Sequence, residues 1–532
     1  MGINNCGKKP NSAINVKPEY YFTKKDPDIN TNNNNGLQET VKLEVKIIDT
    51  SSGSGKVRLV LYEDSKRTTT LKGGDETEES YYNAEDNAIT FKKFFIVNYY
   101  FEKEQPIDFI ISGKINGKVS TTLPSIMGSR GQTLRKEIEG TGAKLEVRGF
   151  GYKKKQTATL NFNVSLKGTF NERGLVYNIK HLGNSRDPKN TSLYKSETLN
   201  PKLNLNLTFN TAQIPDIYLA PDLDYQTNIM EFELIDPYLR TTLLDKKEPL
   251  SSFIGGKNNL FEIGPGKSIE VVVNEIKDYA FLDYIRGGMQ INLAVAIDFT
   301  GSNGNPRQTN SLHYLGPNLN SYEIAIQSCG NIVAYYDYDQ LFPAYGFGGK
   351  FFLQHEVNHC YPLNNNPDNP NIQGIDGILE TYRDVLGKTT LYGPTYFHYV
   401  LNKVINDVKE DVMAENMNYT ILMILTDGII DDMDDTIDSL VEASYLPISV
   451  IIIGIGDADF RNMNVLDADD EPLISRNGRK ADRDLVQFVP FRDFSYNGEK
   501  LAQEVLAEVP RQVIEYYQHK KIPPKDPIFN IP

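Results

Sequence analysis

The sequence predicts a multidomain chain: two all-β sandwiches followed by an α/β doubly wound domain. Three observations predict it. The chain has 532 residues, too many for one core, and at about 150 residues per domain three domains are expected. From residue 39 to 265 the apolar residues fall in short alternating segments separated by Gly, Ser and Asn clusters, with no helical period. From residue 269 onward, strands of continuous apolar character alternate with longer helix-like segments, as in a parallel sheet covered on both faces.

Residues 1–38 are rich in Asn, Pro, Lys and Asp, include the run Asn32-Asn33-Asn34-Asn35, and are expected to be disordered. Residues 39–150 form the first sandwich, with strands expected at 41–48, 57–62, 94–99, 108–111 and 144–147. A linker containing Lys153, Lys154 and Lys155 follows. Residues 157–265 form the second sandwich, with strands at 160–166, 203–209, 230–235 and 260–263. The two blocks are not copies in sequence, so a repeated fold rather than a repeated sequence is expected. Residues 269–518 form the α/β domain. Its buried strands are expected at 291–297, 421–425 and 448–455, and its helices at 375–386, 397–413, 435–443 and 501–517. Residues 519–532 read as an extended Lys- and Pro-rich tail.

Apolar residues make up 39% of the chain and charged residues 24%, with a formal net charge of −14. That charge argues against general attraction to nucleic acid or to anionic lipid, so any membrane contact must be local. Cys6, Cys329 and Cys360 are the three cysteines. They are too few and too dispersed for a disulfide framework or a zinc cluster, and a reducing, cytosolic setting is expected. No apolar leader is legible, and the longest apolar runs fall far short of the ~20 residues that span a bilayer.

The strand 291–297 runs into Asp298-Phe299-Thr300-Gly301-Ser302-Asn303-Gly304. In an open α/β sheet, ligands collect beyond the carboxyl ends of the strands. Asp298, Thr300 and Ser302 offer one carboxylate and two hydroxyls there, hard oxygens suited to Mg²⁺ (or Mn²⁺). Thr395, in the turn Tyr392-Gly393-Pro394-Thr395, and Asp427, in Leu425-Thr426-Asp427-Gly428, add two more oxygens. An alternative use for the two aspartates is to cap the helices that follow them. The five-residue set resembles the metal-ion-dependent adhesion site of von Willebrand factor A domains.

Further segments make the resemblance more specific. Phe281-Leu282-Asp283-Tyr284-Ile285, Ser311-Leu312-His313-Tyr314, Phe342-Pro343-Ala344-Tyr345-Gly346-Phe347-Gly348, Asn366-Pro367-Asp368-Asn369-Pro370 and Gln487-Phe488-Val489-Pro490-Phe491-Arg492-Asp493-Phe494 are similar to the copine family. The likeness is strong over 269–518. Over 39–265 it rests on domain order and on fragments such as Gly131-Gln132-Thr133-Leu134 and Thr198-Leu199-Asn200-Pro201. It implies two C2 domains before a von Willebrand factor A domain. The function it implies is a non-catalytic adaptor, cytoplasmic and peripheral at membranes, which binds phospholipid through the C2 domains and recruits acidic protein ligands at the metal site. The alternative is a cytosolic protein-binding module without membrane targeting.

The resemblance also implies Ca²⁺ binding through aspartates on two loops of each C2 domain. The residues argue against it. The early loop of the first sandwich is Thr50-Ser51-Ser52-Gly53-Ser54-Gly55 with only Asp49 nearby, and its later loop is Ser112-Gly113-Lys114-Ile115-Asn116. In the second, Thr169-Phe170-Asn171-Glu172-Arg173 is matched by a lone Asp236 before Pro237-Tyr238-Leu239. Ca²⁺ needs six to eight oxygens, so weak or absent binding is expected. At the N-terminus, Gly2 stands where N-myristoylation requires it and Cys6 could accept palmitate; two such signals together anchor stably.

Two motifs are decoys. His355-Glu356-Val357-Asn358-His359 fits the zincin pattern, but that pattern works only on a helix. The surrounding Gly, aromatic and Pro residues favour a strand, where residues four apart are separated by about 13 Å. Ser54-Gly55-Lys56 lacks the first glycine and the final hydroxyl of a phosphate-binding loop. No nucleophile, base and orienter set is legible, so no enzymatic activity is expected.

Overall fold

The computed structural model describes residues 19–20, 38–48, 55–63, 76–84, 87–152, 158–183, 191–202, 207–221, 224–254, 259–277, 279–352, 354–467, 472–494 and 497–526. They form two compact units. One comprises residues 1–32 and 153–278, and the other residues 33–152 and 279–532. The second sandwich is therefore inserted, along the chain, between the first sandwich and the α/β domain that belongs with it.

The inserted unit is all β. Strands Ala158–Lys167, Lys267–Lys277, Ala212–Pro215 and Leu260–Gly264 make one antiparallel sheet. Val176–His181, Thr191–Lys195, Ile229–Asp236 and Thr241–Pro249 make the other. Alternate residues Leu160, Phe162, Val164 and Leu166 point into a core with Tyr177, Ile179, Phe232 and Leu234, the period-2 pattern of a half-buried strand. Two boundaries differ from expectation. Residues Ser268 to Lys277 of the strand Lys267–Lys277 pair with Ala158–Lys167, so this sandwich extends past 265 and 269. Glu19–Tyr20, within the segment expected to be disordered, pairs antiparallel with Thr191–Lys195. The turn Gly264-Pro265-Gly266-Lys267 reads as a domain end but is a hairpin joining two strands of one sheet, and a two-residue strand has no period to read.

In the other unit, the first sandwich pairs Gln38–Ile48 with Lys144–Gly151, Phe95–Tyr100 and Ala88–Thr90. A second sheet joins Val57–Tyr62, Pro106–Gly113 and Gly117–Thr122. The core takes the alternate residues Val41, Leu43, Val45 and Ile47.

This sandwich packs directly on the α/β domain. Phe101 lies 5.2 Å from the Phe281 ring and 4.9 Å from that of Tyr336, centroid to centroid. The Tyr99 and Tyr336 hydroxyls are hydrogen-bonded. Gln132 donates its Nε2–H to the Leu282 carbonyl at 3.2 Å. The side chains of Tyr99, Phe101, Gln132, Phe281 and Tyr336 are all buried, and the four aromatic ones belong to one continuous hydrophobic cluster.

Among the described residues, the α/β domain holds five parallel strands: Gln290–Asp298, Leu341–Phe347, Asn418–Thr426, Ile448–Gly454 and Val486–Pro490. Numbered along the chain, their order in the sheet is 2-1-3-4-5. Both faces are covered. Leu293, Val295 and Ile297 join the cluster beneath the helices Ser321–Val333 and Gly374–Leu386. Ala294 and Ala296 join a second cluster with the helices His398–Met413 and Met433–Ala443. A strand buried on both faces cannot alternate with polar residues, which is why these segments read as continuous apolar runs. The helix expected at 501–517 is two helices, Gly498–Leu506 and Val509–His519, with Pro510 at the start of the second, where its missing N–H costs nothing. The second helix thus runs one residue past 518.

Candidate metal centre

Strand order reverses at Gln290–Asp298, between strands 2 and 3. Such a switch point opens a crevice beyond the carboxyl ends, and Asp298 ends strand 1 while Asp427 directly follows strand 3. The five expected residues come together there.

Asp298 is fully buried. Its Oδ1 accepts the Thr300 N–H at 2.8 Å, and its Oδ2 accepts the Thr426 hydroxyl at 2.6 Å. Asp427 Oδ1 accepts from Ser302 Oγ at 2.9 Å and from Thr300 Oγ1 at 3.4 Å. The Thr300 and Ser302 hydroxyls are 3.0 Å apart. A Cβ built on Gly428 would lie 3.2 Å from Thr395 Oγ1 and 3.9 Å from Asp298 Oδ2, so those two oxygens face the same small space. A side chain at 428 would enter it.

Burial pushes both carboxyls up. For Asp298 the hydroxyls of Thr300 and Thr426 work against that burial. Asp427 is pushed up to about 7, by burial first and by the neighbouring Asp298 charge second. The donor set fits a small divalent cation: two carboxylates and three hydroxyls, all hard oxygens, crowded where each carboxylate alone is costly. Asp298, Thr300, Ser302, Thr395 and Asp427 would hold it.

Several supporting residues escaped the sequence reading. Asn303 donates its Nδ2–H to Asp427 Oδ1 at 3.0 Å and accepts the Tyr322 hydroxyl at 2.7 Å. Thr426 orients Asp298. Asp431 Oδ2 accepts the Thr395 N–H at 2.9 Å and thereby fixes the turn. Asp432 accepts the N–H groups of Phe397 and His398 at 3.1 and 2.9 Å. It satisfies otherwise orphaned donors at the start of His398–Met413. Gly348, at φ +81°, lies where a Cβ would sit 2.4 Å from Thr300 Cγ2, so only glycine lets that loop approach. Asn303 and Thr426 adjoin the motif residues in sequence, which is the one signal that could have flagged them.

The other expectations fall elsewhere. Residues 354–359, around the His-Glu-x-x-His match, form an irregular loop with a single bridge, Gly349 to Asn358; they are neither helix nor the expected strand. The His359 ring stacks on Tyr399 and lies against Tyr396. In the second sandwich, Asp236 is buried and its Oδ1 accepts the N–H groups of Tyr238 and Leu239 at 2.8 and 3.0 Å. Glu172 pairs with Lys267 at 3.0 Å. An acidic cluster, Glu231, Glu233 and Asp245, is threaded by Lys180 and Lys247. Burial would raise Glu231, but these ammonium groups draw it below the usual carboxylate range. Gly2, Cys6, residues 49–54 and Lys153–Lys155 lie outside the described residues.

An α/β domain that gathers hard oxygens at the switch point of a 2-1-3-4-5 sheet is thus the centre of this chain. Residues 311–525 of that domain match the family model described as Copine. The match includes Thr395 and Asp427 and begins after Ser302. Among solved structures, the chain is similar to an extended-synaptotagmin 2 fragment made of its SMP domain and two C2 domains, at 11% identity and a TM-score of 0.18. That match covers 45% of this chain and 57% of the other, so the chain spans little more than half of that relative. The calcium-bound pair of C2 domains from the same protein matches at 9% identity over 46% of this chain and 98% of the other, with a TM-score of 0.17. Manganese-loaded TRAP protein of Plasmodium vivax matches at 14% identity over 38% and 70%, with a TM-score of 0.25.

Proposed function

We propose that this chain is a copine-like adaptor. Its two sandwiches act as C2-type units that meet phospholipid surfaces. Its von Willebrand factor A-type domain recruits a protein through one Mg²⁺ (or Mn²⁺) held by Asp298, Thr300, Ser302, Thr395 and Asp427. The observation that carries the reading is the convergence of Asp298 and Asp427 from two adjacent parallel strands onto three hydroxyls. Five protein oxygens would leave an octahedral position for a carboxylate from a partner, a charge-assisted contact. The proposed role is adhesive rather than catalytic. His313, which reaches the Asp298 main chain, is fully buried and committed to two hydrogen bonds, and burial draws it down to about 3, so it is no general base. Among the described residues no helix is long and apolar enough to cross a membrane, and the proposed location is cytoplasmic and peripheral.

Mg²⁺ should raise the melting temperature of the full chain and leave that of Asp298→Ala unchanged; an equal response in both would end the metal assignment. A second reading, a protein-binding module without membrane targeting, is favoured by the first sandwich being built into the core of the metal domain through Phe101. Sedimentation with phosphatidylserine vesicles, with and without Ca²⁺, separates the two.

A further inference from the structure

The rim of the metal site carries exposed apolar side chains. Tyr392 precedes Thr395 in the same turn. Its carbonyl accepts the Gly301 N–H at 2.7 Å and its backbone is bridged to Thr300, so it borders the Asp-x-Thr-x-Ser loop. Its side chain is nevertheless 59% exposed. Ile429, two positions after Asp427, is 54% exposed. Both loops supply metal-site oxygens, and both place a large apolar side chain in water. Lys350, on the strand Gly349–Phe351 that pairs with Thr389–Leu391, holds its Nζ 4.1 Å from the centre of the Tyr392 ring. It makes no ion pair among the described residues. A stiff aromatic, an aliphatic side chain and a cation therefore surround a site whose proposed contact is one carboxylate.

We infer that this mouth takes an acidic protein segment in which the metal-binding carboxylate is followed closely by an aromatic or aliphatic side chain, with a further carboxylate against Lys350. The inference rests on the metal reading and adds the class of segment. On the Tyr392 side charge selects the occupant, because Lys350 opposes a basic segment and attracts an acidic one, whereas Asp431, exposed on the Ile429 side, disfavours a further carboxylate there. The exposed apolar area gains by being covered, and Tyr is a residue type that loses little freedom when it anchors a contact.

The test uses the full chain in excess Mg²⁺ with two labelled probes of matched length, poly-L-glutamate and a random glutamate–tyrosine copolymer, read by fluorescence anisotropy. The copolymer should bind about tenfold more tightly, the effect of burying part of one ring. The double variant Tyr392→Ser with Ile429→Ser should bind both probes alike while keeping the Mg²⁺ melting shift of the parent. Lys350→Glu should weaken both probes several-fold. Equal binding of the two probes by the parent, binding of neither, or a preference that survives the double variant would overturn the inference. So would displacement of the copolymer by phosphatidylserine vesicles in Mg²⁺ alone, which would make the rim a lipid contact. A Mg²⁺ shift without probe preference removes the segment class and leaves the metal site standing; absence of the shift removes the metal site itself.

Discussion

His313 donates its Nε2–H to the main-chain carbonyl of Asp298 at 2.8 Å. A carbonyl can only accept, so the ring carries its proton on Nε2, and Nδ1 accepts the Tyr382 hydroxyl at 2.6 Å. The same Tyr382 oxygen receives the Asn320 amide at 3.2 Å. The end of strand Gln290–Asp298 is thus fixed by a chain of three side chains, of which His313 and Tyr382 are buried. His313→Phe keeps the ring and strips both bonds. It should cost about 1–3 kcal/mol, the usual penalty for stranding buried polar groups, and should loosen Mg²⁺ binding as well. Urea unfolding and Mg²⁺ titration calorimetry measure the two effects. Parent-like values for both would show that the bond positions nothing.

Thr426→Val removes one hydroxyl at nearly constant volume. Asp298 Oδ2 then loses its 2.6 Å donor. Groups that orient a metal ligand typically contribute about 10–100-fold in affinity, so Mg²⁺ should bind at least tenfold more weakly by calorimetry, with little change in the circular dichroism of the fold.

Asp337 is buried next to Asp339, and it is pushed up to about 7 by burial first and by Asp339 second. A carboxyl raised in the folded state holds its proton there after the unfolded chain has lost it. Stability from this group is present at low pH and falls as pH rises from about 4 to about 7. Asp337→Asn keeps an oxygen for the Gln340 N–H that Asp337 now accepts at 3.1 Å. The substitution should therefore raise the melting temperature by a few degrees at pH 8 and leave it unchanged at pH 4. Equal effects at the two values would contradict this.

Calcium should bind the sandwiches weakly. Asp236 already accepts two backbone N–H groups, and Glu172 is held by Lys267. In the full chain carrying Asp298→Ala, calorimetry at micromolar Ca²⁺ should show no binding heat. Saturable binding under those conditions would give the two sandwiches a calcium-dependent role.

Phe101→Ala should cost about 3–5 kcal/mol, the range for emptying a buried aromatic site. It should also split one calorimetric transition into two, of which only the later part responds to Mg²⁺. A single transition at a lower temperature would mean that the first sandwich and the α/β domain remain coupled without that ring.

Much of this was legible in the residues. Strands buried on both faces announce themselves by an unbroken apolar stretch, such as Ile421–Leu425 within Asn418–Thr426, with polar residues only toward the ends. Asp298, Thr300 and Ser302 are close in sequence because one turn presents all three. Leu341–Phe347 was not legible as a strand: Pro343 and Gly346 interrupt its apolar run, although it pairs with Gln290–Asp298. Helix Ser321–Val333 was missed despite a reciprocal cap between Asn320 and Glu323, a signal that the residue types alone carry. The packing of Phe101 against Phe281 could not be read at all. An aromatic in the turn after a sandwich strand, as Phe101 is, looks the same whether it faces its own core or another domain, and nothing local marks the partner.

Tyr99 and Tyr336 are 237 positions apart, and on the ribosome that separation is a delay. At about 5–20 residues per second, roughly 10–50 s pass between them. During that interval the aromatic face of the nascent first sandwich has no partner, while residues 153–278 of the inserted unit emerge. The order of completion is therefore the reverse of the order of synthesis: the domain begun second can close first. The domain begun first carries an open apolar face through the interval and is the stretch most in need of chaperone cover.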